Sequence, residues 1–478
     1  MRPDGTAGDD GALTPAMVFV VDGSLKLGAD ERRAALLEAL EALESLRDER
    51  AAAGNYGTAD PTILDLARAA PPSQGTDLTP ILRQFVTIAA AGWDKTSGGN
   101  FSFIPNGALD AGAVAALLSV GANSFTGAAF EAPAMVAMEE GILHWIAEML
   151  GLPAGAGGLL LSGGSLANQT AIVTARARFR DALNLTMYAS DRVHHSVIKA
   201  AHLVGIADDA IRTVGTDADG RCDPAALQAL IDADVAAGRR PFLVVAVAGS
   251  TDTGSIDPLE QLGDVAERAG VWLHVDAAYG GFFALTERGR ARLLGIERAD
   301  SVTVDAHKGL FLPYSVGALL VRDPNDLVEA HEGWGAYLRG IPTIEGLPNY
   351  FERGPELTRP NRAVLVWFPL HLHGTAAFAR ELDRMLDLAA FAHERLASMV
   401  GIAVGPAPAT SIVTFRAATG DEATDAIVAA LHATGRFEVS TTTIDGHAMV
   451  RFAFLSPSTT EARVAEALDV VESACARE

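Results

Sequence analysis

Cysteine is scarce in this chain: among 478 residues there are only Cys222 and Cys475. Two thiols cannot build a disulfide framework, and they leave no room for a cysteine-rich metal site. Basic residues are outnumbered, 37 Lys and Arg against 60 Asp and Glu, for a formal net charge of −23. That balance argues against nucleic acid or an anionic membrane as a main partner. Long apolar runs are missing as well. The stretch FLVVAVAG, Phe242 to Gly249, has the length of a strand and falls well short of a membrane span. The opening MRPDGTAGDDGALTP carries acidic residues, glycine and proline where a secretory leader would carry a basic and then an apolar stretch, so we expect a cytoplasmic protein. No internal repeat or low-complexity tract is visible.

What is present is an ordinary globular composition, 49% hydrophobic and 20% charged. The length allows two or three domains, or one large α/β domain with appendages. Leucines at helical spacing predict an amphipathic helix over Ala29 to Ala53, which could pack on a partner subunit as easily as on its own chain. Turn residues then punctuate GNYGTADPT and PPSQGTDLTP. From about Gly107 short apolar strands alternate with helices: GGLLLS, TMYAS, AIRTVG, PFLVVAVAGS, VWLHVDAAY and SVTVDAH are the strands. The alternation predicts an α/β fold with a mainly parallel sheet covered by helices on both faces. Beyond Trp367 a helical pattern leads into SIVTFRA, FEVSTTTID and HAMVRFAFL, a small α+β arrangement. We therefore divide the chain into an N-terminal helical segment, 1–106, a large α/β domain, 107–370, and a small C-terminal domain, 371–478.

In open parallel sheets, ligands bind beyond the carboxyl ends of the strands, and that is where the polar residues of interest stand. SGGS (Ser162 to Ser165) joins a strand to a helix. Gly163 and Gly164 would admit an anion closely, and Ser165 would meet it at the positive end of the helix; the bland alternative is a capping serine after a turn. His194 and His195 follow a strand and open a helix. With His202 as the only further candidate ligand and no carboxylate or cysteine cluster, we expect no metal; an imidazole stacked on a planar cofactor is the better functional reading. Asp276 ends a buried strand and needs a cationic or hydrogen-bonding partner. The small Ala277 and Ala278 after it leave room for a flat ring. Lys308 closes the set, 32 residues after Asp276. Lysine is seldom fully buried, so a surface lysine is the bland reading. The sharp one is a dry pocket that lowers its pKa and frees the amine to act as a nucleophile.

A phosphate cradle, a stacking histidine, an aspartate for a pyridine nitrogen and a lysine for an aldehyde match the contacts of pyridoxal 5′-phosphate (PLP). From about Asn100 to Phe368 the chain resembles the group II PLP-dependent decarboxylases, the family of aromatic-L-amino-acid, histidine and glutamate decarboxylases. The sharpest motifs are SGGS, SDRVHHS, HVDAAYGG and DAHKG. The resemblance implies fold type I, with a mainly parallel seven-stranded sheet, and decarboxylation of an L-amino acid to an amine and CO2. It implies Lys308 as the covalent attachment point, Asp276 on the ring nitrogen and His194 on the ring face. Gly164, Ser165 and His307 would hold the phosphate, with Thr251 and Ala278 close to the cofactor. It also nominates Tyr337, in GWGAYLRG, as the proton donor after CO2 leaves, with Tyr350 as the rival and His194 as a further donor. Phe103, Asn106 and Phe125 fall in segments that line the family's substrate pocket, and the resemblance implies a homodimer with Phe125 reaching across. Those segments do not separate aromatic, acidic and imidazole substrates; an aromatic amino acid is the one we favour. Two positions depart from the family pattern. Asp305 stands where asparagine or serine is common and would repel a phosphate unless it faces away or binds a positive group, and Leu365 stands where lysine is common. The alternatives are an aldehyde synthase or carbon–carbon lyase of the same fold, and, from another class, a non-catalytic cofactor-binding scaffold.

Overall fold

Strand-length apolar segments separated by amphipathic helices set the architecture of the computed structural model, which describes residues 26–53, 60–107, 109–180, 182–333 and 340–476. The chain divides into two compact units, 1–94 and 95–478. In the first, the helix Ala29–Ala53 forms over the expected range, followed by the helices Pro61–Arg68 and Leu78–Ala90. The Arg50 side chain donates to the Ala89 carbonyl (3.0 Å) and Thr79 to Glu38 Oε1 (2.6 Å), fastening the first of these helices to the third. Leu46 and Val86 are buried, while Leu36, Leu37, Leu40 and Leu43 stay exposed.

The second unit is built on two sheets. The strands of the larger are β1 (Gly157–Leu161), β2 (Leu185–Ser190), β3 (Ile211–Val214), β4 (Arg240–Val247), β5 (Trp272–Asp276), β6 (Ser301–Val304) and β7 (Gly317–Val321). Their spatial order is β1-β7-β6-β5-β4-β2-β3. The pairs from β6 through β5, β4 and β2 to β3 are parallel, and β7 runs antiparallel to both β6 and β1. Every residue of β1, β2, β5, β6 and β7 is buried, as a sheet covered on both faces requires. The smaller sheet is antiparallel: β8 (Ile402–Val404), β9 (Ile412–Ala417), β10 (Ser440–Ile444) and β11 (His447–Ala453), in the order β10-β11-β9-β8. Leu365 lies in the helix Ala363–His373, half-buried against the core.

The outer edge of β1 is closed by side chains. Glu139 Oε1 accepts from the Leu160 N–H (2.8 Å), and Arg359 donates both to Glu139 (2.9 and 2.7 Å) and to the Leu160 carbonyl (2.6 Å). Both charged side chains are fully buried. Arg353 reaches the Gly158 carbonyl, two residues along the same edge.

Candidate active site

Each parallel strand delivers its last residues to one end of the sheet, and there β1, β4, β5 and β6 open on a cavity of about 330 Å³. Gly164, Ser165, His194, Thr251, Asp276, Ala278, His307 and Lys308, scattered over 145 positions of sequence, all line it. β1 runs into Ser162 and Gly163, and the helix Gly164–Ala177 starts at the cavity wall. Gly163 has a φ of +149°, and a Cβ there would stand 2.9 Å from His307 Cε1. A Cβ on Gly164 would stand 3.0 Å from both Ala278 Cβ and Asp305 Oδ2. Only glycine leaves this turn open, at the positive end of the helix Gly164–Ala177.

Asp276 terminates β5. Its Oδ1 accepts from the Ala278 N–H (3.1 Å) and its Oδ2 from Asn168 (2.8 Å). His194 is the N-cap of the helix His195–Leu203, its Nδ1 accepting from the Ser196 N–H at 3.3 Å. Burial holds the His194 pKa below its ordinary value against the pull of Asp276. His307 binds the Val316 carbonyl through Nδ1 (2.8 Å); a carbonyl only accepts, so this nitrogen carries the hydrogen and Nε2 does not. Burial lowers the His307 pKa as well.

Lys308 sits on a single helical turn, Ala306–Gly309, entered from β6 through Asp305. Its Nζ lies 2.9 Å from Asp305 Oδ2. The sequence expectation of a depressed lysine pKa is corrected here. Burial does act to lower it, but the charge and hydrogen bond of Asp305, with Asp276 behind, outweigh burial and raise it. Asp305 itself is 1% exposed and its Oδ1 has no hydrogen-bond partner. It resolves its departure from the family pattern by binding a positive group, the lysine ammonium.

Other expected residues stand elsewhere. Phe103 is exposed, with Lys95 Nζ 5.1 Å from its ring centre. Asn106 is buried and donates to the Leu312 carbonyl (2.7 Å), and half-buried Phe125 packs over Gly127. None of the three lines the cavity. Tyr337 lies outside the described residues. Tyr350 is fully buried, its hydroxyl donating to Glu140 (2.8 Å) and its ring under Arg359, so it belongs to the β1 edge and not to the cavity. Sequence reasoning missed Asn168, although it follows Gly164 by four residues and so shares its helix face. It also missed Ile104 and Tyr279 in the cavity wall. His202 pairs with Asp208 (2.7 Å), and among the described residues no group of three or more His, Cys, Asp or Glu could hold a metal ion.

An anion cradle, an accepting carboxylate, an imidazole and an amine around one small cavity fit PLP by donor set and by space. Residues 64–418 match the model of the pyridoxal-dependent decarboxylase conserved domain. The chain belongs to this family. As a decarboxylase it is a PLP-dependent carboxy-lyase acting on amino acids. It is 36% identical over 375 residues to the aromatic-L-amino-acid decarboxylase of Bacillus atrophaeus, covering 75% of this chain and 77% of that one. It is 35% identical over 350 residues to the L-2,4-diaminobutyrate decarboxylase of Rhizobium meliloti (strain 1021), covering 71% and 70%. Among solved structures, the decarboxylase superposes on the Oryza sativa TDC with PLP and tryptamine at a TM-score of 0.89, with 26% identity over 95% of this chain and 99% of that one. Among the described residues, no helix is long and apolar enough to cross a membrane.

Proposed function

We propose that the enzyme removes CO2 from an aromatic L-amino acid, with Lys308 as the attachment point of PLP. The observation that carries this reading is the meeting of Lys308, Asp276, His194 and the Gly163–Gly164 turn around one 330 Å³ cavity. When bound, PLP supplies an aldehyde for covalent attachment and a ring that accepts the electron pair left as CO2 departs. Asp276, receiving hydrogen bonds at both oxygens, would face the ring nitrogen and keep a proton on it. His194 would cover one ring face, with Ala278 leaving room for the ring and Thr251 beside it. Gly164, Ser165 and His307 would hold the phosphate at the positive helix end. Tyr337 would return the proton to carbon.

Two points favour an aromatic side chain. Besides Lys308 and the two imidazoles, the described walls offer no cation to receive an acidic side chain, while Ile104 offers apolar surface. The relative that is 36% identical is an aromatic-L-amino-acid decarboxylase. We also propose a homodimer, which the exposed leucines of the helix Ala29–Ala53 support, and in which Phe125 would reach across to the partner's substrate pocket. A cytoplasmic setting suits the two free cysteines. We keep 107–370 as the cofactor-binding domain and 371–478 as the small domain.

The test is CO2 release from a panel of aromatic amino acids, 2,4-diaminobutyrate and cysteine sulfinate, with the amine product identified. Release from the aromatic members first is the expected result; release from the diaminobutyrate or sulfinate alone overturns the substrate class. Borohydride reduction and peptide mapping should place the label on Lys308, and a label on Lys199 or Lys95 ends that assignment.

A further inference from the structure

Below the cavity floor lies a continuous chain of buried hydrogen bonds that the reaction as described does not use. Trp272 Nε1 donates to Ser301 Oγ (2.8 Å), which lies 2.8 Å from His274 Nδ1. His274 Nε2 lies 3.0 Å from Asn168 Oδ1. Asn168 Nδ2 then donates twice, to Asp276 Oδ2 (2.8 Å) and to Ser196 Oγ (3.1 Å). Ser196 Oγ completes the chain at His194 Nδ1, 2.8 Å away. Trp272, Ser301, His274, Asn168, Ser196 and Asp276 are all buried.

The direction of the chain follows from its Asp276 end. An indole N–H can only donate, so Ser301 Oγ accepts from Trp272 and keeps its own hydrogen available for His274 Nδ1. His274 must then carry its hydrogen on Nε2 and give it to the Asn168 carbonyl. The amide hydrogens of Asn168 are left facing Asp276 and Ser196, and Ser196 passes its hydrogen to His194 Nδ1, as its backbone N–H does. A carboxylate can only accept, so Asp276 requires the amide hydrogens of Asn168 on its side and the Asn168 carbonyl towards His274. In the reverse sense the Asn168 carbonyl would face Asp276, which would need a proton. Burial agrees with a singly protonated His274, pushing its pKa down to about 4.

We propose that Asn168 is a positioning residue that donates directly to Asp276 and, through the Ser196 hydroxyl, orients the donor that faces His194, fixing Asp276 as an acceptor and supporting His194 as the tautomer with its hydrogen on Nε2. This deepens the reading of Asp276 and His194 given above and rests on it for their roles; the direction of the chain does not depend on that reading. The side chain works through its branching: one carbonyl held from below by His274, two hydrogens sent upward to different partners. An imidazole whose Nδ1 is already bonded presents only Nε2–H to a ligand.

The test uses the cofactor-free protein labelled with 15N-histidine, with His194 and His274 assigned by single substitution, at neutral pH. Nitrogen shifts should show both rings neutral with the hydrogen on Nε2; an Nδ1–H form of either, or a doubly protonated His274, overturns the proposal. Asn168→Asp keeps the size but replaces donors by acceptors beside Asp276. The site should then gain one proton at neutral pH, seen as a doubly protonated His274 or as a protonated-carboxyl band in the infrared difference spectrum. Absence of both overturns the proposal. If the histidine shifts come out as expected while borohydride does not label Lys308, the cofactor assignment fails and the hydrogen-bond direction stands.

Discussion

Substituting Asp305 by asparagine keeps the shape of the side chain and removes its charge 2.9 Å from the Lys308 amine. At an effective dielectric of about 20, opposite unit charges at that distance attract by roughly 6 kcal/mol. Lys308 is 26% exposed, and Asp276 and water continue to stabilise the ammonium after the change, so the net loss is about a third of that figure. A loss of about 2 kcal/mol in favour of the ammonium raises the share of free amine roughly 30-fold at a pH where the ammonium dominates. Only the free amine attacks an aldehyde. Asp305→Asn should therefore load PLP roughly 30-fold faster than wild type at neutral pH, and the rise of loading rate with pH should begin at lower pH. The assay mixes cofactor-free enzyme with PLP, quenches with borohydride at intervals and counts label on Lys308. An unchanged or slower rate at neutral pH, with the rise at the same pH as wild type, would refute the claim that Asp305 holds the amine protonated.

Three further outcomes are expected. Glu139→Leu strands the buried Arg359 guanidinium and should cost about 3–5 kcal/mol in denaturant unfolding, with Arg359→Met in the same chain restoring most of it; equal losses in the single and double variants would sink the pairing argument. Tyr337→Phe should leave cofactor binding intact while amine formation falls about 10²–10⁴-fold, and amine formed at the wild-type rate would remove Tyr337 as the donor. The His274 pKa of about 4 lies below the ordinary 6.5, so between these values the unfolded chain binds a proton that the folded one refuses. Stability should fall as pH drops from about 6.5 towards about 4. His274→Phe should flatten that limb in thermal midpoints, and an unaltered slope would show that His274 does not contribute to it.

Strand and helix alternation, and the residues at strand ends, were readable because each depends on local pattern: SVTVDAH reads as β6 and its exit, HVDAA as β5 and its carboxylate. Eight residues named from spacing and family resemblance share one cavity for the same reason, since parallel strands bring their ends together whatever lies between them. Lys308 was misjudged in its protonation because a dry pocket was imagined without its countercharge. Asp305 is three residues earlier, at helical spacing, but the turn that pairs the two begins only after β6 stops. Asn168 was unreadable as a site residue because its significance comes from His274 and Asp276, more than 100 positions away. Phe103 and Phe125 were chosen as aromatic residues in matching segments, and composition alone does not fix which way a ring faces.

The side chains along the outer rim of β1 have a consequence for life in a crowded cell. A terminal strand with bare amide and carbonyl groups is a template on which another extended chain can register. Here the Leu160 amide and carbonyl are both taken, by Glu139 and Arg359, and Arg353 takes the Gly158 carbonyl beside it. A foreign strand would have to displace a buried ion pair before making its first bond to Leu160. On this margin the sheet is therefore finished at seven strands, and the protein can accumulate without offering it as a seed for aggregation.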